Sequence, residues 1–184
     1  MKMKKGFTLL ELLIVIGILA ILATVVALVL NPAELLRQAR DSQRLSDLRT
    51  INSAIGLWVA SASSTTMTSA NNCTSGTTGY GPTATTCVAN ATTTIAGSGW
   101  ININFTNIPG GSPLSRLPLD PSNNTTNYYQ FKNNTTDLTY ELNANMESDK
   151  YKSGGAANVE LDTKDGGDNP NVYEIGTEPG LDLI

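Results

Sequence analysis

The sequence has no histidine and only two cysteines among its 184 residues. Without histidine, a Ser-His-Asp hydrolase, a Cys-His protease and a zinc site with histidine ligands are all excluded. Positive charge is also scarce after residue 60, where five basic residues stand against twelve acidic ones. A surface that binds nucleic acid needs clustered positive charge. We therefore expect neither an enzyme nor a subunit that binds nucleic acid.

What the sequence does have is one long apolar run from Phe7 to Leu30, preceded by Lys2, Lys4 and Lys5. At about 1.5 Å per residue, a helix over this run can cross a hydrocarbon core of about 30 Å. The lysines favour an N-terminus on the cytoplasmic side. The run is longer than the apolar core of a secretory signal peptide, and its alanines lack the A-x-A spacing of a cleavage site. It predicts a single-pass membrane anchor.

Glu11 interrupts this apolar run. A carboxylate near the middle of a spanning helix is unfavourable by about 2.5 to 3.5 kcal/mol, and by less near an end, so such residues usually have a function or a partner. A cut between Gly6 and Phe7 would create an α-amino group about one helical turn before Glu11, with an ordinary pKa of about 7.7 to 8. That amine and the carboxylate could neutralise each other. The other interpretation is a charge near the helix end that reaches the lipid headgroups.

The stretch KKGFTLLE, residues 4–11, followed by the apolar run, resembles the prepilin signal of type IV pilins and of the pseudopilins of type II secretion. The resemblance implies that a membrane peptidase cuts after Gly6 and N-methylates Phe7. It also implies that Glu11 pairs with the N-terminal amine of an adjacent subunit while the apolar helices bundle into a filament core. A subunit in the wrong register would leave a buried charge unpaired, at a cost of about 3 to 5 kcal/mol.

Two classes of function follow from this resemblance. The first is a structural subunit of a type IV pilus-like filament that serves adhesion, twitching motility or DNA uptake, with a pseudopilin of type II secretion as the alternative. The second is a membrane-anchored surface binding domain with a similar N-terminus. The implied partners are copies of the chain, other pilin-like subunits, the prepilin peptidase and an inner-membrane assembly platform. The precursor would lie in the inner or cytoplasmic membrane and the mature subunit in an extracellular filament.

The fold expected from the resemblance and the patterning is α+β and pilin-like, with a long N-terminal helix packed on a small antiparallel sheet. Its segments are a leader (1–6), a filament-core helix (7–30), an amphipathic helix (31–60), a polar loop (61–99) and an antiparallel β head (100–184). Pro32 lacks an amide proton and predicts a kink between the two helices. The Arg and Asp residues of the second helix are expected to face solvent or a neighbouring subunit.

Alternating apolar residues predict the strands of the head. The predicted strands are 100–105, 128–132 and 138–144, the last two joined as a hairpin, with edge strands near 159–161 and 172–175.

Cys73 and Cys87 both fall in the predicted polar loop. In a protein whose head leaves the cytoplasm, such a pair favours a disulfide over a metal site, because no other soft ligand is present. A disulfide here would close a loop of about 15 residues and stabilise the fold by about 3 kcal/mol. Two free thiols are the alternative.

An acidic stretch near the end of the sequence, DTKDGGDN, suggests calcium as a cofactor. The oxygen-bearing side chains in it are Asp162, Asp165, Asp168 and Asn169. Oxygen ligands on a glycine-bearing loop suit calcium, although the spacing does not fit an EF-hand. The resemblance adds that major pseudopilins and some pilins carry a calcium site near the C-terminus. A solvated acidic turn is the other interpretation, and no further cofactor is expected.

Overall fold

The structure, a computed structural model, describes residues 6–61, 67–80, 86–155 and 159–184. The chain falls into two compact units, residues 1–36 and 37–184. Helix α1 spans Leu9–Leu30 and lies in the first unit. Helix α2 spans Pro32–Ser61 and belongs mostly to the second unit, which we call the head.

Helix α1 is apolar on all sides, and its described side chains are all exposed within the chain. A helix that is hydrophobic all round is stable only when another apolar medium covers it. The segment Leu9–Ala27, with a mean hydropathy of 2.9, is long and apolar enough to cross a membrane. The first unit thus presents apolar surface that a bilayer or other helices can cover.

The two helices are separated by Asn31. This residue has left-handed backbone angles, with φ 37° and ψ 76°. Asparagine adopts that conformation more readily than most residues with a side chain. Pro32 then occupies the first position of α2, where an amide proton would have no helical partner. The helix is therefore interrupted beside the position where the sequence predicts a kink.

The second helix packs an apolar stripe on the sheet. Its buried apolar residues recur mostly at intervals of three or four: Leu45, Leu48, Ile51, Ala54, Ile55 and Trp58. They share one core with strand residues such as Phe131 and Leu142. The hydroxyl of Tyr140 adds a polar link, because it donates a 2.6 Å hydrogen bond to Asn52 Oδ1. Side-chain packing and this link hold α2 on one face of the sheet.

Among the described residues, the sheet has five strands in the order β2-β1-β3-β4-β5. They are β1 (Asn71–Cys73), β2 (Val88–Ala89), β3 (Tyr129–Asn134), β4 (Thr139–Ala144) and β5 (Tyr173–Gly176). Strands β1 and β2 run parallel, and the other neighbouring pairs run antiparallel. Leu142 lies opposite both Phe131 and Ile175, which aligns the three long strands. The predicted hairpin and the strand near 172–175 are confirmed.

Two strand predictions are wrong. Residues 100–105 show the expected alternation of burial, but they form no strand and lead into a short 3-10 helix at Phe105–Asn107. Their backbone instead makes isolated bonds, such as that from the Phe105 amide to the Ile95 carbonyl. Residues 159–161 also form no strand.

The region predicted as a polar loop, 61–99, contributes to the sheet. It supplies β1, which pairs with β3, and β2, which pairs with β1. These strands have only three and two residues, two asparagines and a cysteine in β1 and a valine and an alanine in β2. Short segments of this composition carry no apolar periodicity, so the sequence pattern did not indicate them.

Candidate functional site

The predicted cleavage bond lies between Gly6 and Phe7, directly before α1. Both residues are exposed and non-helical, so no helical hydrogen bond protects the bond. A Cβ atom built on Gly6 would meet no atom within 4 Å, and the chain's own fold therefore does not require glycine there. A requirement for glycine would come from an enzyme that binds this segment. The leader lysines at positions 2, 4 and 5 lie outside the described residues.

Glu11 forms a capping box with Thr8 at the start of α1. The Glu11 amide donates to Thr8 Oγ1 at 3.2 Å. In return, the Thr8 amide and hydroxyl donate to Glu11 Oε2 at 2.9 and 2.8 Å. A capping box satisfies amide groups that the first helical turn leaves unpaired, and a carboxylate is favoured at that end of the helix dipole. Glu11 therefore has a partner within its own chain.

Thr8 is a site residue that the sequence reasoning missed. The signal was present, because Thr-Leu-Leu-Glu before an apolar run has the Ser/Thr-x-x-Glu spacing of a capping box. Both bonds from Thr8 end on Oε2 of Glu11, so this pairing does not use Oε1. The carboxylate can keep its local partner and still accept a bond from another donor.

The head contains a buried ion cluster around Arg44. Its guanidinium donates to both oxygens of Asp120 at 2.6 and 3.0 Å, to Asp41 at 2.7 Å and to Glu147 at 2.6 Å. Arg44, Asp41 and Asp120 are almost inaccessible to solvent. The expectation that the Arg and Asp residues of α2 face solvent or a neighbouring subunit is therefore wrong for Arg44 and Asp41. Apart from the bond between these two residues, their partners come from distant parts of the same chain.

The electrostatics of this cluster follow from burial and pairing. Burial opposes the charge of Arg44, but hydrogen bonds and charge from the carboxylates outweigh it and raise the pKa of Arg44. Burial alone would raise the pKa of Glu147, but hydrogen bonds from Arg40 and Arg44 outweigh it and lower that pKa to about 2. Asp41 also accepts the amide protons of Glu147 and Ser148. The cluster fixes α2 to the loops beside the sheet.

Cys73 and Cys87 form the predicted disulfide, with their Cα atoms 5.8 Å apart. Within the loop that it closes, the ring of Tyr80 stacks on Tyr128 at a centroid distance of 4.2 Å. The Tyr80 hydroxyl donates to the Tyr128 carbonyl at 2.9 Å, and the Tyr80 carbonyl accepts from Asn169 Nδ2 at 2.7 Å. Ring stacking and hydrogen bonds of Tyr80 thus connect the disulfide loop to the start of β3 and to the acidic stretch.

The four residues considered for calcium have different surroundings. Asp168 is exposed, whereas Asp162 is buried and accepts the Ser153 amide at 3.2 Å. Burial raises the pKa of Asp162 to about 7. The oxygens of Asp165 accept the backbone amides of residues 167 and 174, at 3.1 and 2.7 Å. Asn169 Oδ1 accepts the amide of residue 171 at 3.1 Å.

These bonds show what the acidic stretch does within the fold. Its oxygens accept backbone amides and so hold the turn that precedes β5. In the part of the chain that the structure describes, no group of three or more Asp, Glu, His or Cys side chains is placed to hold a metal ion.

Comparison with known families identifies the N-terminal segment. Residues 1–27 match the family described as the prokaryotic N-terminal methylation motif. Comparisons with curated proteins and with solved structures gave no match. The matched segment includes Gly6, Phe7, Thr8 and Glu11, and its apolar helix fits a single-pass, membrane-anchored precursor. The first 27 residues of this chain carry the prepilin-type methylation motif of type IV pilins and pseudopilins, which implies cutting by a prepilin peptidase and assembly with other pilin subunits.

Proposed function

We propose that this protein is a structural subunit of a type IV pilus-like filament that serves adhesion, twitching motility or DNA uptake. The precursor is held in the membrane by α1, cut after Gly6, methylated on Phe7 and assembled through α1. The observation that carries this proposal is the matched motif on a helix that is apolar on all sides and uncovered. A bilayer covers that surface first, and the helices of neighbouring subunits cover it in the filament.

Glu11 has a role at both stages of this process. In the precursor, the two donors of Thr8 reduce the cost of placing a carboxylate at the edge of an apolar medium. Cleavage then supplies a charged amine on Phe7, and a bond between an ionised donor and a carboxylate is among the strong hydrogen bonds. Pairing of Glu11 with the amine of a neighbouring subunit supports correct register, because a misplaced subunit leaves a charge without that partner.

The second candidate function is that of a pseudopilin of a type II secretion system. The processing and the membrane stage are the same for both candidates. The acidic stretch before β5 favours a pseudopilin if it binds calcium, whereas the disulfide-closed loop favours a surface-exposed pilin. The melting temperature of the protein, measured with calcium and with a chelator, tests whether the acidic stretch supports the pseudopilin. A rise in melting temperature with calcium favours the pseudopilin, and the same temperature in both conditions removes that support.

The experiment that tests the proposed function is the intact mass of the protein in material sheared from the cell surface. We expect a chain that begins at Phe7 and carries one added methyl group. A processed chain confined to the membrane fraction would favour the pseudopilin. A chain that keeps residues 1–6 would overturn both candidates and leave a membrane-anchored binding domain.

Two substitutions separate processing from assembly. Gly6→Leu should leave the uncut precursor in the membrane, whereas the control Gly17→Leu changes another glycine whose added side chain meets open space. Glu11→Ala should be inserted and cut normally but should lower the yield of sheared filaments more than tenfold. The control Glu160→Ala, in the head, should leave that yield unchanged. Normal filaments from the Glu11 variant would contradict the pairing with the amine.

A further inference from the structure

Residues 183 and 184 bond to the face of the sheet that points away from α2, and we call residues 181–184 the latch segment. Side chains alternate along a strand, so this face carries the residues between those that pack on α2. The strand residues on it are Gln130, Lys132, Glu141, Asn143 and Glu174. Leu181 and Ile184 of the latch segment are only 8% and 4% exposed. Ile184 is buried where its amide bonds to Glu141, whereas Leu181 is buried beside Ile175 and Arg49.

The contacts that hold the latch segment are made to its backbone. Glu141 Oε2 accepts the amide protons of Leu183 and Ile184 at 2.8 and 3.2 Å. The ammonium group of Lys132 donates to the Leu183 carbonyl. Glu141 is fully buried, so no water can replace the backbone amides as partners of its carboxyl group. Lys132 and Glu141 thus hold the backbone of the latch segment from two sides, through its carbonyl and its amides.

The chain enters this site through two consecutive residues with left-handed backbone angles. Gly180 has φ 86° and Leu181 has φ 47°. Glycine adopts such angles freely, but for leucine they are disfavoured about five- to thirty-fold. The turn is held by Glu178, whose carboxylate accepts the amide of Asp182 at 3.0 Å. Docking of the segment onto its own chain is therefore accompanied by strain at Leu181.

We propose that the latch segment is exchangeable and that the Lys132–Glu141 site also binds residues 181–184 of a second copy of this chain. The bonds of residues 183 and 184 are the same in such a pair as in one chain, because the bound residues are the same. The turn at Gly180 and Leu181 opens, so the bond between Glu178 and Asp182 is lost and the strain at Leu181 is released. Exchange of an identical element is a low-cost route to association. This inference needs two copies of the chain and does not depend on the filament.

The test places a photoreactive amino acid at position 183 of the full-length chain in detergent micelles. Isotopically light and heavy copies are mixed, illuminated and digested, and the cross-linked peptides that contain position 132 are identified by mass spectrometry. We expect light–heavy pairs, at a fraction that rises with protein concentration. Cross-links exclusively between peptides of the same isotope, at every concentration, would show a fixed segment and overturn the proposal.

A hinge variant gives an independent readout that leaves the side chains of the latch segment unchanged. Gly180→Ala adds strain at the hinge and should raise the ratio of light–heavy to same-isotope pairs several-fold. Gly110→Ala is the matched control, because Gly110 has φ 90° and open space around an added Cβ but lies outside the hinge. Equal ratios in Gly180→Ala, Gly110→Ala and the unchanged chain would contradict exchange through this hinge.

Discussion

The first unit and the head satisfy their charged residues in different ways. Glu11 is exposed, and its described partner Thr8 is three residues away along the chain. Arg44 is buried, and its partners Asp120 and Glu147 are 76 and 103 residues away. The head thus completes its own interactions through long-range contacts. The first unit makes local contacts and leaves an apolar surface for other molecules to cover.

Removal of Arg44 should have the largest effect on the head. Arg44→Met leaves three carboxylates around a site that has lost its cation, so we expect the free energy of unfolding to fall by about 3 to 5 kcal/mol. Chemical denaturation of the full chain in detergent measures this loss. Arg49→Met, at an exposed position of the same helix, should change the free energy by less than about 0.5 kcal/mol. Equal effects would show that the cluster is not needed for a stable head.

Removal of the disulfide should have the next largest effect. Cys73→Ser together with Cys87→Ser frees a loop with a sequence separation of 14 residues, and we expect a loss of about 3 kcal/mol. Reduction of the unchanged protein should give the same loss in a denaturation measurement. A reduced protein as stable as the oxidised one would mean that the Tyr80 contacts alone hold the loop.

The ion cluster should also make the head sensitive to acid. The pKa of Glu147 is lowered from 4.5 to about 2, so the folded state binds this proton less readily than the unfolded state. The resulting stabilisation is present above pH 4.5 and is lost as the pH falls through about 2; we expect it to reach about 2 to 3 kcal/mol. Glu147→Gln should flatten this part of the pH profile of unfolding. The exposed control Asp137→Asn should keep the slope, and a Glu147→Gln profile with the original slope would exclude Glu147 as its source.

The smallest of these effects concerns the start of α1. Thr8→Val removes the hydroxyl of the capping box but keeps the shape of the side chain, and we expect the first turn to lose about 1 kcal/mol. Amide hydrogen exchange at Glu11 in micelles should accelerate about fivefold. Thr24→Val, which removes a hydroxyl bonded to the Ala20 carbonyl inside the same helix, should leave exchange at Glu11 unchanged. Acceleration by both variants would point to general loosening of the helix.

Features defined by local pattern were predictable from the sequence. The apolar run predicted α1, alternating residues predicted the β3–β4 hairpin, and two cysteines without other soft ligands predicted the disulfide. The break beside Pro32 also follows from one residue and its neighbour. For the helix, the hairpin and the break, the physical cause lies within a few neighbouring residues. For the disulfide, it lies in the few roles that a pair of cysteines can have.

Features that depend on distant partners were not predictable in this way. Charged residues such as Arg44 and Asp41 on an amphipathic helix are expected to face solvent. Their burial becomes evident only when the fold brings Asp120 and Glu147 beside them. The segment 100–105 has the alternation of a strand, but side-chain burial can follow that pattern without a neighbouring strand to bond. The capping box of Thr8, by contrast, is local, and its Ser/Thr-x-x-Glu spacing stands in the sequence.

The disulfide also affects how the head responds to a pulling force. Tension applied to the two ends of the chain passes across the bond between Cys73 and Cys87 and bypasses the residues between them. Fully extended, the enclosed residues would add about 40 Å beyond the present 5.8 Å separation of the two Cα atoms. An oxidised head that is pulled open therefore reaches a shorter contour length than a reduced one, and the enclosed loop bears no load.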